Sequence, residues 1–434
     1  MATPESIARA KVTRRLIPFL LLLYIVAWFD RINVGFAALQ MNADLGFSPA
    51  VFGIGSGLFF IGYALFEVPS NLILARVGAR RWIARIMVTW GLVSIAMLLV
   101  EGRWSFYALR FVLGVAEAGF LPGVIYYLGQ WYPRQARARA VSWFMIGIPL
   151  GTVVGGPLAG ALLGLDGRLG LQGWQWLFLL EGLPAVLLGV IVLWVLPDSP
   201  TAARWLTPDE RQALTAPIHA EQRATAERHS IGILRALWHP TVLLLGFSLF
   251  ACQCGSYGLN LWIPQIVKGL SGQSDLIVGF ISAVPYIGAA VGMVLIGRSS
   301  DRSGERIWHV ALPCMVGAAG FAVSAYLDTP VLGMVALTVA AVGDLGSRGP
   351  FWALPPQFLT GGALAAGIAL INTMGAAGGF VGPSVVGWVK GATGSFRGGM
   401  LFLAALLVAS AIATLWLRRS PVLAGRAAAV SGAA

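Results

Sequence analysis

The sequence predicts an all-α integral membrane protein whose twelve transmembrane helices form two bundles of six. Three observations carry that prediction. Of 434 residues, 57% are hydrophobic and only 11% charged, whereas a soluble domain is roughly 25% charged. About 247 apolar residues suffice for about twelve spans at roughly 20 residues each. These residues fall in long runs broken by glycine, proline and charge clusters, without the polar and apolar alternation of a membrane barrel, so the spanning backbone must satisfy its hydrogen bonds as helices. The composition excludes a soluble enzyme, a secreted scaffold and a transcription factor.

The first run, 16–38, has no small-residue cleavage site and is too long for a removable signal peptide, so it stays as the first helix. The runs 51–74, 82–100, 104–128, 140–163 and 174–196 complete the first six. Residues 197–238, the longest polar stretch and rich in Glu, Arg and Ala, are expected to be a cytoplasmic linker. The second six are 239–264, 276–296, 307–327, 331–356, 363–389 and 397–417. The expected units are therefore a bundle over 1–196, the linker, a bundle over 239–419 and a cytoplasmic tail over 420–434. An internal repeat supports the six-plus-six division: NLILARVGARR at 71–81 and GRSSDRSGERI at 297–307 share an R-x-G-x-R pattern, each just after the second helix of its half.

Orientation follows from the basic residues. The N-terminal segment, the even-to-odd loops and the C-terminal segment hold 22 Lys and Arg, and the opposite loops hold 5. The positive-inside rule then places both termini in the cytoplasm. The net charge of +12 reads as membrane orientation and not as nucleic-acid binding, because no basic patch with interleaved aromatics is present.

Only three cations, Arg31, Arg110 and Arg348, lie inside helices. A charge at a helix centre costs about 2.5–3.5 kcal/mol, so it needs a partner or a water-filled cavity. Asp30 and Arg31 are adjacent in WFDRIN and point about 100° apart. Arg110 and Glu117, in RFVLGVAEAGFLPG, are seven apart and lie along one helix face. Two acids and two arginines thus share a depth in the first half. They are expected either to lock the first helix to the fourth as a structural ion network, or to bind an anion through the arginines while the acids exchange protons. No histidine competes for the proton role, since all four lie in the linker or at helix ends. Glu67 and Glu181 lie away from helix midpoints and suit gate or scaffold roles. Asp344 and Arg348, four apart, could neutralise each other, or Arg348 could be a third cation for a second substrate carboxylate.

The glycine-rich stretches 147–160 and 374–383 lie inside apolar spans and are expected to serve helix packing, not phosphate binding. Cys252, Cys254 and Cys314 also lie in apolar runs, at a spacing that suits neither zinc nor a disulfide framework. No cofactor or metal is expected.

Together these residues resemble the major facilitator superfamily, and more narrowly its anion:cation symporter family of tartrate-, phthalate-, hydroxyphenylacetate- and sugar-acid-type permeases. DRINVG at 30–35, RFVLGVAEAGFLPG at 110–123, the segment 351–383, WQWLFLLEGLP and LTPDER carry the match. The tartrate-transporter-like branch is nearest in texture, on VPSNLILARVGARRWIARIMVTWGL. The resemblance implies Asp30 and Glu117 as protonation sites and Arg31 and Arg110 as substrate or charge-network residues. It places Tyr63, Trp352 and Asn372 in the cavity lining, with Trp28 and Arg348 as further candidates. Arg76, Gly78 and Arg80, with Asp301, Arg302 and Gly304, would form the gating elements. The first element carries Ala75 where the superfamily has an acid and Asn71 where it has its leading glycine, so the gate is expected to rest on the second copy.

The expected function is proton-coupled symport of a small organic anion, a short dicarboxylate or an aromatic acid, by a monomer in the cytoplasmic membrane. An exporter or exchanger of the same fold is the alternative, and a membrane-embedded enzyme is the less favoured one, because no Ser/His or metal-ligand set lies at membrane depth.

Overall fold

The computed structural model describes residues 4–226, 238–357, 359 and 361–419. The expected tail 420–434 and the stretch 227–237 of the expected linker lie outside these residues. Among the described residues every regular element is helical. Eleven helices are long and apolar enough to cross a membrane, and a twelfth, Trp308–Ser324, is apolar but shorter at 17 residues.

The first half contains α1 (Pro4–Asp44), α2 (Pro49–Val77), α3 (Ala79–Ala96), α4 (Arg103–Glu117), α5 (Phe120–Gly129), α6 (Arg134–Met145), α7 (Gly147–Leu163) and α8 (Gly173–Val195). α9 (Pro208–Ala226) follows within the polar stretch. The second half contains α10 (Pro240–Ser271), α11 (Asp275–Ser303), α12 (Trp308–Ser324), α13 (Pro330–Gly346), α14 (Arg348–Trp352), α15 (Gly361–Thr393) and α16 (Arg397–Trp416). Span boundaries depart from the apolar runs for physical reasons. α1 continues three turns before Leu16 because Ala8 and Val12 are buried against neighbouring helices. The fourth run is two helices, α4 and α5, since Ala118 is extended (ψ 131°) and Gly119 has φ 88°, a left-handed conformation that favours glycine. The tenth run is likewise broken at Ser347.

Within the first half α3 packs on α8, α2 on α4 and α1 on α7; in the second, α10 packs on α15 and α16, and α13 on α11 and α12. Across the halves α2 lies against α15, α7 against α11 and α1 against α10. Two of these seams are built backbone to backbone. A Cβ at Gly156 would lie 2.6 Å from the Gly279 carbonyl, and one at Gly53 would lie 2.6 Å from the Pro383 carbonyl. Only glycine permits this approach.

Polar contacts gather on two opposite faces. On the face holding the start of α1, Lys11 Nζ bonds Glu210 Oε1 at 2.6 Å, Arg15 lies 5.1 Å from the Trp205 ring, and Arg80 pairs with Asp198 at 3.3 Å. Lys11 and the Thr207 backbone N–H hold the Glu210 carboxyl below the ordinary range. The Lys11–Glu210 bond docks α9 onto α1. On the other face Trp174 Nε1 donates to Asp44 Oδ2 at 2.8 Å, and Asp275 receives both Gln40 Nε2 at 3.0 Å and Lys268 Nζ at 2.8 Å. The Gln40 bond joins the two halves.

Candidate functional site

The first-half charges converge as their depth suggested, but only one pair of them touches. Arg31 on α1 reaches Glu117 Oε1 through Nε at 2.6 Å and through its terminal nitrogen at 2.5 Å. Glu117 is fully buried at the end of α4, where the helix stops, and its Oε2 has no hydrogen-bond partner among the described residues. Asp30 is 1% exposed. Its Oδ1 accepts from the Ser94 hydroxyl and from Asn33 Nδ2 at 3.2 Å, and its Oδ2 has no partner among the described residues. Arg110, also 1% exposed, donates one bond to the Ser56 carbonyl at 3.2 Å, while its Nε and other terminal nitrogen lack partners among the described residues. Its guanidinium lies 5.1 Å from the Phe59 ring, and Arg31 lies 5.7 Å from that same ring. A full four-member ion network is therefore not what forms. One ion pair forms, flanked by an acid and a cation that are held by neutral groups.

Aromatic rings surround the pair. Arg31 lies 5.1 Å from the Tyr63 ring and 6.0 Å from Trp28, whose Nε1 donates to Thr152 at 2.5 Å. A guanidinium over ring faces gains cation–π attraction, which grows when water is excluded. Glu181 on α8 is buried beside Asn33, within electrostatic reach of Asp30. It belongs to this cluster, although its place along its own run gave no sign of that.

A second buried centre lies in the other half. Arg348 reaches Asp344 Oδ1 at 3.2 Å and the Ser256 hydroxyl at 2.7 Å, and Ser256 donates to Asp344 Oδ2 at 2.5 Å. The i,i+4 spacing brings the charges together although the helix breaks between them. Tyr257, next to Ser256, packs tilted against Phe60 of α2 with ring centroids 4.2 Å apart and lies within electrostatic reach of both Arg31 and Arg348. Tyr257 thus lies within electrostatic reach of a charged centre in each half.

The remaining candidates separate. Asn372 on α15 donates to Glu67 on α2, at 3.1 Å to Oε1 and 3.2 Å to Oε2. Trp352 is 37% exposed and packs edge-on against Phe351. In the repeated element, Gly78 has φ 97° and Arg80 takes its carboxylate from Asp198, at the end of the sixth span, so the missing acid at position 75 is supplied from elsewhere. In the second copy Asp301 pairs with Arg306 at 2.6 Å, and Gly304 caps α11 with φ 68°. Arg76 and Arg302 are exposed. Asp198, Arg306, Ser94, Ser256 and the Glu67 contact with Asn372 were not found by reading the sequence. Arg306 alone had a direct signal there, as the last position of the R-x-G-x-R pattern.

Comparison with known proteins agrees with this architecture. Residues 20–383 match the profile of the Major Facilitator Superfamily. A protein of Agrobacterium vitis named "Putative tartrate transporter" is 54% identical over 418 residues, covering 96% of this chain and 92% of that protein. A "Quinolone resistance transporter" of Acinetobacter baumannii is 46% identical, with 93% of each chain covered. Among solved structures, a bacterial homolog to the human lysosomal transporter Spinster, in an inward-facing and occupied conformation, superposes with a TM-score of 0.77 at 17% identity, covering 93% of this chain and 96% of that one.

Proposed function

The chain belongs to the Major Facilitator Superfamily, and from that premise we propose that it couples protons to the movement of a small organic anion through a site between two six-helix bundles. It is a multi-pass membrane transport protein and not an enzyme; the coupling, the substrate class and the residues are our reading. The observation that carries the reading is the buried cluster around Arg31, Glu117 and Arg110. Arg110 keeps two guanidinium nitrogens unbonded by other described residues, and Glu117 keeps one bare carboxylate oxygen. A buried cation with donors to spare attracts a carboxylate, and a buried acid with a free oxygen can take a proton. In this scheme an anion loads near Arg31 and Arg110 while Asp30 or Glu117 accepts a proton, and the neutralised site then turns between the two sides of the membrane. Arg348, Tyr63, Trp28 and Asn372 complete the lining. The elements around Gly78 and Gly304 act as gates, and both termini lie in the cytoplasm, where the basic residues gather. The tartrate named for the Agrobacterium vitis relative makes a short dicarboxylate the first substrate to try.

The test is uptake of labelled tartrate, succinate and benzoate into proteoliposomes with an imposed inward proton gradient. Accumulation above equilibrium that collapses with the gradient is expected for at least one of them. Uptake of none, by protein that is folded and inserted, refutes the anion reading. A second reading, outward transport of an aromatic acid, is favoured by the relative named for quinolone resistance, and efflux from preloaded vesicles under the reversed gradient distinguishes it.

A further inference from the structure

Along the seam between α2 and α15 the helices run antiparallel in one register. Gly53 meets Pro383 and Gly387, Phe60 packs on Gly379, and seven residues further along each helix Glu67 meets Asn372. Seven residues is two helical turns, so the same two edges stay in contact. Up to Phe60 the contact is backbone and ring with one neutral hydrogen bond, from the Ser384 hydroxyl to the Gly53 carbonyl at 3.4 Å; at Glu67 it becomes a charge-assisted hydrogen bond. One amide nitrogen serves both oxygens of the carboxylate, so the N–H edge that Asn372 turns toward α2 is taken. Asn71 Nδ2 donates to the Glu67 backbone carbonyl at 2.7 Å, which fixes that turn of α2. Glu67 lies one turn beyond Tyr63, whose ring carries Arg31, and within electrostatic reach of Arg31 itself.

The chain's own carboxylate therefore lies within electrostatic reach of a cation and holds an amide donor, the partners an incoming carboxylate would need. We propose that Glu67 is a tethered competitor for the transported anion. In the unloaded protein it occupies Asn372, and a substrate carboxylate must displace it to reach that donor. Displacement breaks a bond between the two halves, so loading and loosening of the α2–α15 seam are one event. The inference rests on the anion-transport reading and adds to it a residue that sets apparent affinity. A donor already occupied lowers the apparent affinity for the ligand by the fraction of time it is taken, and removing the competitor restores it.

The experiment measures KM for labelled tartrate, or for whichever carboxylate of the panel the wild type takes up, in proteoliposomes of Glu67→Ala, Glu67→Gln, Asn372→Ala and the double variant Glu67→Ala/Asn372→Ala. Glu67→Ala is expected to lower KM about tenfold. Glu67→Gln, which keeps shape and a neutral acceptor but loses the charge, should lower it by a smaller factor, and it carries the test should the alanine variant fail to insert. With Asn372 already removed, deleting Glu67 should change KM less than twofold. A KM that rises or stays unchanged in the Glu67 variants overturns the competitor role, and so does an equal fall in the Asn372→Ala background. These outcomes leave anion transport standing, whereas a wild type that takes up no carboxylate overturns both readings.

Discussion

Among the described residues, Glu117 is bonded through one oxygen and bare at the other, while Arg110 is bonded through one nitrogen and bare at two. An amide in place of the Glu117 carboxyl keeps an acceptor for Arg31 but cannot exchange a proton. Glu117→Gln is therefore expected to bind substrate with an affinity within threefold of wild type, yet to lose accumulation driven by a proton gradient. Flow dialysis reads the first and proteoliposome uptake the second, and normal pH-driven accumulation removes Glu117 from the coupling scheme. The sequence alone singled out Asp30, Arg31, Arg110 and Glu117 because a charge in an apolar run is expensive and therefore conspicuous. It left open which of them would touch, because pairing depends on how far each helix is rotated about its axis. The small groups that hold the unpaired members, Ser94 and Asn33 on Asp30 and the Ser56 carbonyl on Arg110, were invisible for a different reason. Serine and asparagine are unremarkable in an apolar run, and a backbone carbonyl has no sequence signature.

Helices were legible as hydrophobic runs because their lengths match the thickness of a bilayer. Their breaks were not, since the turn after Glu117 rests on a single positive φ at Gly119 and glycine is common throughout the chain. The seams between halves show the same limit: glycine-rich runs predicted close packing without naming the partner. At Gly156 the partner is the Gly279 backbone, which has no side chain to move aside. Gly156→Ala should overpack α7 against α11, at a typical cost of about 1–3 kcal/mol, and shift the equilibrium away from the form in which this seam is shut. Gln40 bridges the halves on the same face through Asp275, so a Gln40→Cys reporter reads the shift. Its labelling by a membrane-impermeant maleimide should quicken at least fivefold when Gly156→Ala is added. An unchanged rate would show that the seam tolerates a methyl group.

For the molecule as a whole, charge bookkeeping across the membrane gives the sharpest expectation. With protons loaded on both Asp30 and Glu117, a monoanion moves with one net positive charge and a dianion with none. One charge across 100 mV is worth about 2.3 kcal/mol, or nearly fiftyfold in accumulation. Tartrate uptake is then expected to ignore a potassium diffusion potential, whereas uptake of benzoate should rise when the interior is made negative. Benzoate transport blind to voltage sinks the two-proton scheme. The six-plus-six reading drew support from two short glycine-centred elements. The structure gives the last arginine of each a carboxylate, but Arg306 takes Asp301, five residues earlier, while Arg80 takes Asp198, over a hundred residues away. A linear pattern search sees the first arrangement and misses the second. The glycine seams have a further, kinetic meaning. Where backbone meets backbone directly, as at Gly156 and Gly279, no side chain stands between the two to be withdrawn, so parting that contact needs no rotamer change and meets little internal friction. The pace of opening is then set by the few polar latches across the halves, and a single hydrogen bond such as Gln40 to Asp275 can act as an escapement for the whole turnover.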